Sequence, residues 1–274
     1  MEKYSVLMSV YHKEVPAYFR QSLQSMMDQT VATDDFVLVC DGPLTEELDA
    51  VIQSFTDRYP DVFQVIRLPE NVGIGSAANI GLQYCKNDLV AKMDADDISV
   101  PHRCEKQLEQ FERVPHLAVT GGFIEEFEQN PEEPFALRIV PTSNADIRKF
   151  ARRRQPFNNM TVMYRRAAVL AIGGYRDYRR CEDYDVYLRL LHADYYAENL
   201  AEVLVKARVN KGAISRRASK ETLRGIIRSR RYAMQIGYSS VLDFLICVGG
   251  ELVILACPDC VRRFIYNKFL RRRA

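Results

Sequence analysis

Leu89-Val90-Ala91-Lys92-Met93-Asp94-Ala95-Asp96-Asp97 joins a short apolar strand to three carboxylates within four positions. Ligands of open α/β sheets collect at the carboxyl ends of strands. Three carboxylates set there repel one another, so folding them together is costly unless a cation offsets their charge. Hard oxygen donors suit Mg²⁺ or Mn²⁺, which typically takes one or two carboxylates together with substrate phosphates. The plainer alternative is an acidic loop in which Asp97 or Ser99 caps the helix after Pro101. One aspartate can be used in that way, but capping does not account for three.

Upstream of this segment, Tyr4 to Val10, Phe36 to Cys40 and Val62 to Leu68 read as buried strands, like Leu89 to Met93. Pro16 to Asp28, Thr45 to Tyr59 and Gly75 to Lys86 read as amphipathic helices between them. The alternation predicts a Rossmann-like α/β domain, a mostly parallel sheet with helices on both faces. The strands end in Ser9-Val10-Tyr11, Asp41-Gly42 and the acidic segment, so polar groups gather where a ligand is expected.

Downstream the pattern becomes mixed. A helix over His102 to Arg113 precedes β-like pieces at Leu117 to Thr120, Phe123 to Phe127 and Ala136 to Val140. A helix at Ala145 to Arg152, a short strand at Met160 to Tyr164 and a helix starting near Asp183 follow. No linker separates the halves, so 1–218 is expected to be one catalytic domain and 219–274 a helical, apolar and basic extension. The apolar run Val241 to Cys257 is roughly 17 residues long, short of the ~20 that a spanning helix needs. It also carries Asp243, Gly249, Gly250 and Glu251. With Arg262, Arg263, Lys268 and the terminal arginines beyond it, the extension is expected to dock on an anionic membrane surface. Packing against the domain or in a homodimer is the alternative.

Other constellations add weight unevenly. Cys181-Glu182-Asp183-Tyr184-Asp185 opens a periodic apolar run, placing carboxylates at a helix start, where the macrodipole alone favours them. A general base held by that fixed backbone is the functional reading. Asn71-Val72-Gly73-Ile74-Gly75-Ser76-Ala77-Ala78-Asn79 contains Gly-x-Gly-x-x-Ala, with Asp94 about 20 residues beyond Gly73, as in a dinucleotide fingerprint. Pro69-Glu70-Asn71, however, separates these glycines from their strand, and a dehydrogenase has no need of Asp96 and Asp97. Cys257-Pro258-Asp259-Cys260 lacks a second ligand pair, and the four histidines show no metal spacing. A formal net charge of +2 is too even to indicate nucleic acid as partner. Seven scattered cysteines and an N-terminus without signal-peptide character fit a cytoplasmic protein with reduced thiols.

Taken together these residues resemble the inverting family 2 glycosyltransferases of the glycosyltransferase A fold, over about Tyr4 to Val209. Ser9-Val10-Tyr11 is similar to the turn that ends the family's first strand. Asn71-x-Gly73-x-x-x-Ala77-x-Asn79-x-Gly81 matches a family pattern that explains the glycines better than a dinucleotide fingerprint. Asp94-Ala95-Asp96-Asp97 with Pro101 matches the Asp-x-Asp motif, and Glu182-Asp183 matches the pair that opens the acceptor-side helix.

The resemblance implies a nucleotide-sugar donor, a UDP-sugar above all, contacted by Ser9, Tyr11, Asp41, Asn71, Gly73, Asn79, Asp94 and Glu182. It implies Mn²⁺ or Mg²⁺ on Asp96 and Asp183 as the base. Arg208 and Arg216 lie where the family often has a mobile basic loop near the diphosphate; a solvated loop is the other reading. The nearest kin implied are bacterial O-antigen and capsule enzymes, which would act at the inner face of the plasma membrane on a saccharide carried by polyprenyl diphosphate. The Gln-x-x-Arg-Trp motif of processive synthases is missing, since the chain has no tryptophan, so one sugar per encounter is expected. An NAD-dependent oxidoreductase, a sugar nucleotidyltransferase and a silent sugar-nucleotide-binding scaffold are the competing classes.

Overall fold

The computed structural model describes residues 2–178, 180–209 and 219–257. The first half alternates strand and helix as β1 (Tyr4–Val10), α1 (Pro16–Met27), β2 (Asp35–Cys40), α2 (Glu46–Arg58), β3 (Phe63–Arg67), α3 (Ile74–Tyr84) and β4 (Leu89–Met93). Local chemistry explains the helix starts. Pro16 opens α1, where a missing N–H costs nothing. Thr45 caps α2 by accepting from the Leu48 N–H, with Glu46, Glu47 and Asp49 in the first turn. The helix α3 has no capping side chain; Gly73 precedes it at φ 90°, a conformation that disfavours any side chain.

The four strands are parallel in the order β3-β2-β1-β4; β1, β2 and β4 are built mainly from fully buried Val, Leu, Met and Phe, and the edge strand β3 is only partly buried. The register sets Val10 beside Cys40 and Met8 beside Met93. Ser9, Tyr11, Asp41 and Asp94 therefore emerge at one edge of the sheet. The chain order reverses between β1 and β4, which is where a crevice opens in a sheet of this kind.

The second half completes the same sheet with mixed directions. It runs β5 (Ile98–Ser99), α4 (Arg103–Arg113), β6 (Leu117–Phe127), β7 (Ala136–Arg138), α5 (Asn144–Ala151), β8 (Met163–Arg165), α6 (Arg166–Ala171), α7 (Glu182–His192) and β9 (Tyr196–Arg208). The order continues from β4 through β8, β6 and β9 to β5, with β7 paired to β6. The β4–β8, β8–β6 and β9–β5 pairs are antiparallel, whereas β6–β9 is parallel. The first four strands are thus all parallel, as expected from the sequence, and the second half mixes antiparallel pairs with the long parallel β6–β9 pair.

Three local expectations change. The two pieces at Leu117–Thr120 and Phe123–Phe127 are one strand, β6, whose register shifts near Gly121 and Gly122. The segment predicted as a strand from Met160 begins with a 3₁₀ turn, Asn159–Thr161, ahead of β8. The long strand β9 was not predicted at all; its Ala, Glu, Leu and Lys residues favour helices, and pairing along β6 overrides them.

The C-terminal part forms α8 (Lys220–Gln235) and α9 (Val241–Ala256). The α8 helix packs on α7 through Ala233 against Tyr184 and Leu188. Arg230 lies over the Tyr184 ring at 3.7 Å and donates to the Ala151 carbonyl. Ser240 and Asp243 form a capping box on α9, and Asp243 pairs with Arg153. Apart from buried Asp243, α9 is largely open: Val241 is 62% exposed and Leu245 59%. Among the described residues no helix is long and apolar enough to cross a membrane. The basic residues from Arg262 onward and Cys260 lie outside the described residues. The six described cysteines are all free.

Candidate functional site

A cavity of about 400 Å³ opens at the carboxyl ends of β1, β2 and β4. Ser9 and Tyr11 come from the end of β1, Asp41 from β2, Asn71 and Gly73 from the loop before α3, and Asp94 and Asp96 from the turn after β4. Asp41 organises much of this. Its carboxylate accepts from Asn71 Nδ2 at 2.9 Å, the Val72 N–H at 2.7 Å and the Gly73 N–H at 3.2 Å, folding that loop onto the strand end. The Ser9 hydroxyl is buried with no hydrogen-bond partner among the described residues, although it lines the cavity. A buried hydroxyl facing a cavity calls for a partner there, whether water, ion or ligand.

The acidic turn is held from three sides. Ser22 Oγ on α1 donates to the Asp94 carbonyl at 2.7 Å. Asp97 is buried and its Oδ1 accepts the Arg208 N–H at 2.8 Å. The Arg208 guanidinium donates to the Asp96 carbonyl at 3.2 Å and to Gln21 at 2.6 Å, and stacks 3.9 Å over Tyr18.

Near this turn, α7 begins immediately after Cys181, whose φ of 66° places a side chain in the left-handed region. Such strain persists only where surrounding structure imposes it, and it concentrates at functional sites. Asp183 Oδ1 accepts the Tyr184 N–H at 2.7 Å, which fixes one oxygen of the carboxylate and leaves Oδ2. Glu182 packs against the start of α3 at Gly75.

These carboxylates feel one another. Burial pushes Asp94 up to about 6; Asp96 and Asp183 add to that, while Lys92 works against it. Burial and then Asp183 push Glu182 up to about 7. Asp97 stands well above the usual range through burial, Asp96 and Asp94. A divalent cation would relieve this repulsion, and the donor set is one of hard oxygens. Among the described residues no three or more His, Cys, Asp or Glu side chains form a metal cage. The arrangement fits an ion that takes one or two carboxylates and completes its shell with substrate phosphates.

A carboxylate whose folded pKa is raised holds protons that the unfolded chain releases, so its favourable contribution is present at low pH and lost as pH rises through 6 to 7. The metal-free protein should therefore lose melting temperature between pH 5.5 and 7.5. Asp94→Asn and Glu182→Gln should each flatten that slope in a thermal-unfolding series. Variants with the wild-type slope would show that these groups are not the source.

The structure brings Ser9, Tyr11, Asp41, Asn71, Gly73, Asp94 and Asp96 together around one cavity. Glu182 and Asp183 do not line it but lie close enough to perturb Asp94 or one another. Asn79 is elsewhere: its side-chain oxygen accepts the Tyr175 N–H and its amide donates to the Tyr175 carbonyl, so both ends are committed to that loop. Arg208 is not on a mobile loop but at the end of β9, 8% exposed, because strand pairing and two aromatic faces hold it. Arg216 lies outside the described residues.

Three lining residues went unmarked in the sequence reading: Glu14, Lys92 and Arg180. Lys92 is 4% exposed, with its ammonium 5.4 Å from the Tyr175 ring. The signal was a lysine in an otherwise apolar strand, since buried lysines are rare without a task.

A sequence model described as glycosyl transferase family 2 matches residues 5–178. The amylovoran biosynthesis glycosyltransferase AmsE of Erwinia amylovora is 36% identical over 97% of this chain and 98% of its own length. The UDP-Gal:alpha-D-GlcNAc-diphosphoundecaprenol beta-1,3-galactosyltransferase of Escherichia coli is 33% identical over 98% of this chain and 97% of its own. Among solved structures, the mannosyltransferase PcManGT of Pyrobaculum calidifontis, in complex with GDP-Man and Mn²⁺, superposes with a TM-score of 0.66 at 16% identity, covering 93% of this chain and 70% of that one. The architecture is thus the glycosyltransferase A fold. With a family match across more than half of the chain and relatives above 30% identity along nearly their whole length, this chain belongs to glycosyl transferase family 2.

Proposed function

We propose that this enzyme moves one sugar per encounter from a UDP-sugar to a saccharide carried on polyprenyl diphosphate, inverting the anomeric centre, in bacterial surface-polysaccharide synthesis. The observation that carries the reading is the cavity with Asp94 and Asp96 at its edge and the Glu182-Asp183 helix start beside it. Donor and acceptor classes rest on the Escherichia coli relative, whose name specifies both. The exposed apolar face of α9 supports a peripheral position on the inner face of the plasma membrane, where such an acceptor resides.

Ser9, Tyr11, Asp41, Asn71 and Gly73 would hold the nucleoside end of the donor, with Asp94 facing it. Asp96 would hold Mn²⁺ or Mg²⁺, which when bound supplies Lewis-acid stabilisation to the leaving diphosphate. Asp183 would take the acceptor hydroxyl proton on Oδ2, its other oxygen being held by the Tyr184 N–H. Attack on the face opposite the departing diphosphate inverts the centre.

The test is a transfer assay with a panel of UDP-sugars and Mn²⁺. Acceptors are sugar 1-diphosphates carrying a short alkyl chain, N-acetylglucosamine among them, and the same sugars as simple alkyl glycosides. Transfer to a diphosphate-linked member with inverted product is expected. Transfer only to the simple glycosides would overturn the acceptor class, and a retained configuration would overturn the displacement.

A further inference from the structure

Arg180 borders two cavities, the donor cavity already described and a second of about 450 Å³ on its other side. The second cavity lies between the segment before α7 and the N-terminal half of α8, which supplies Arg224 and Arg228 one helical turn apart. Gly225 makes this approach close: a Cβ there would lie 2.8 Å from the Arg180 carbonyl oxygen, so a larger residue would push the helix away. Arg228 is positioned by Tyr178, over whose ring it lies at 4.2 Å, and it donates to the Asp177 carbonyl at 3.4 Å.

Three guanidinium groups therefore share one concave surface with two exposed carboxylates, Asp177 and Glu221. Among the described residues none of the three arginines makes a close ion pair with a carboxylate, although the Arg180 charge acts on Glu182, working against the rise that burial causes in its pKa. Arginine forks left unpaired in a cavity suit a phosphate-class anion.

Position identifies which anion. Arg180 lies three residues before the proposed base, Asp183, and lines both cavities, so the second cavity adjoins the donor cavity on the side of the α7 start, where an acceptor hydroxyl would meet Asp183. The apolar α9 packs on α8, the helix that supplies Arg224 and Arg228. Its Glu251 comes near enough to contribute to the raised pKa of the Cys181 thiol, which burial chiefly causes. Sugar hydroxyl, diphosphate and lipid would thus meet base, arginines and apolar helix in that order.

We infer that Arg180, Arg224 and Arg228 form a diphosphate subsite for the acceptor, adjoining the donor cavity through Arg180. The inference rests on the acceptor class proposed above. Arg224 and Arg228 are both exposed, and their replacement leaves Ala233 on Tyr184 and Leu188, although Arg228→Ala also gives up the Tyr178 stack. With a diphosphate-linked acceptor that the wild type uses, Arg224→Ala and Arg228→Ala should each raise the acceptor KM tenfold or more. The donor KM should hold, and kcat should change less than twofold. Arg224→Lys should recover part of the loss, and melting temperatures should match the wild type. An unchanged acceptor KM in both alanine variants overturns the subsite. A raised donor KM instead assigns the arginines to the donor, and a change confined to binding of anionic vesicles assigns them to headgroups; either overturns it. If the wild type itself ignores diphosphate-linked acceptors, the acceptor class fails first, an outcome visible before any variant is made.

Discussion

Asp96→Ala is expected to abolish transfer, by at least ~10³-fold, while leaving the fold intact; the loss of a metal ligand removes several kcal/mol of leaving-group stabilisation. The fold should survive because Arg208 grips the backbone carbonyl of Asp96 rather than its carboxylate. Removing the charge also relieves Asp94 and Asp97, whose raised pKa values derive partly from Asp96. The metal-free variant should therefore melt at or above the wild-type temperature at pH 7.5. EDTA should silence the wild type reversibly, with activity returning on addition of Mn²⁺ or Mg²⁺. Substantial turnover by Asp96→Ala in EDTA would remove both the ion and its proposed ligand from the reaction.

Asp183→Asn is expected to cut turnover by at least ~10²-fold, the lower end of what positioned base catalysis contributes. Asparagine keeps the oxygen that accepts the Tyr184 N–H, so the first turn of α7 should stay in place. It cannot take a proton at neutral pH. Donor affinity, read by titration calorimetry with a non-transferring donor analogue, should remain within a few fold of the wild type. Normal turnover with weakened donor binding would move Asp183 to the donor shell.

Much of the site was readable because it hangs on local patterns. The strands β1, β2 and β4 are short apolar runs whose ends are marked by Ser9, Asp41 and Asp94. Once parallel order is granted, the register brings those ends together without further information. Asn79 looked like part of the same motif, but helical spacing turns it away from the cavity and onto the Tyr175 backbone. Motif membership located the loop and not the task of each side chain.

What sequence alone determined is the alternating α/β core, the acidic turn after β4 and the acidic start of α7, because each follows from periodicity, capping and charge within a few residues. Tertiary structure decided the rest, through contacts between segments far apart in the chain. Pairing with β6 made a strand of helix-forming residues in β9, and that strand carried Arg208 back to brace Asp96 and Asp97 across more than 100 residues. The close approach of α8 at Gly225 gathered Arg180, Arg224 and Arg228 around one cavity. Burial raised the pKa values of Asp94 and Glu182, and burial is a property of the folded neighbourhood that no local pattern encodes.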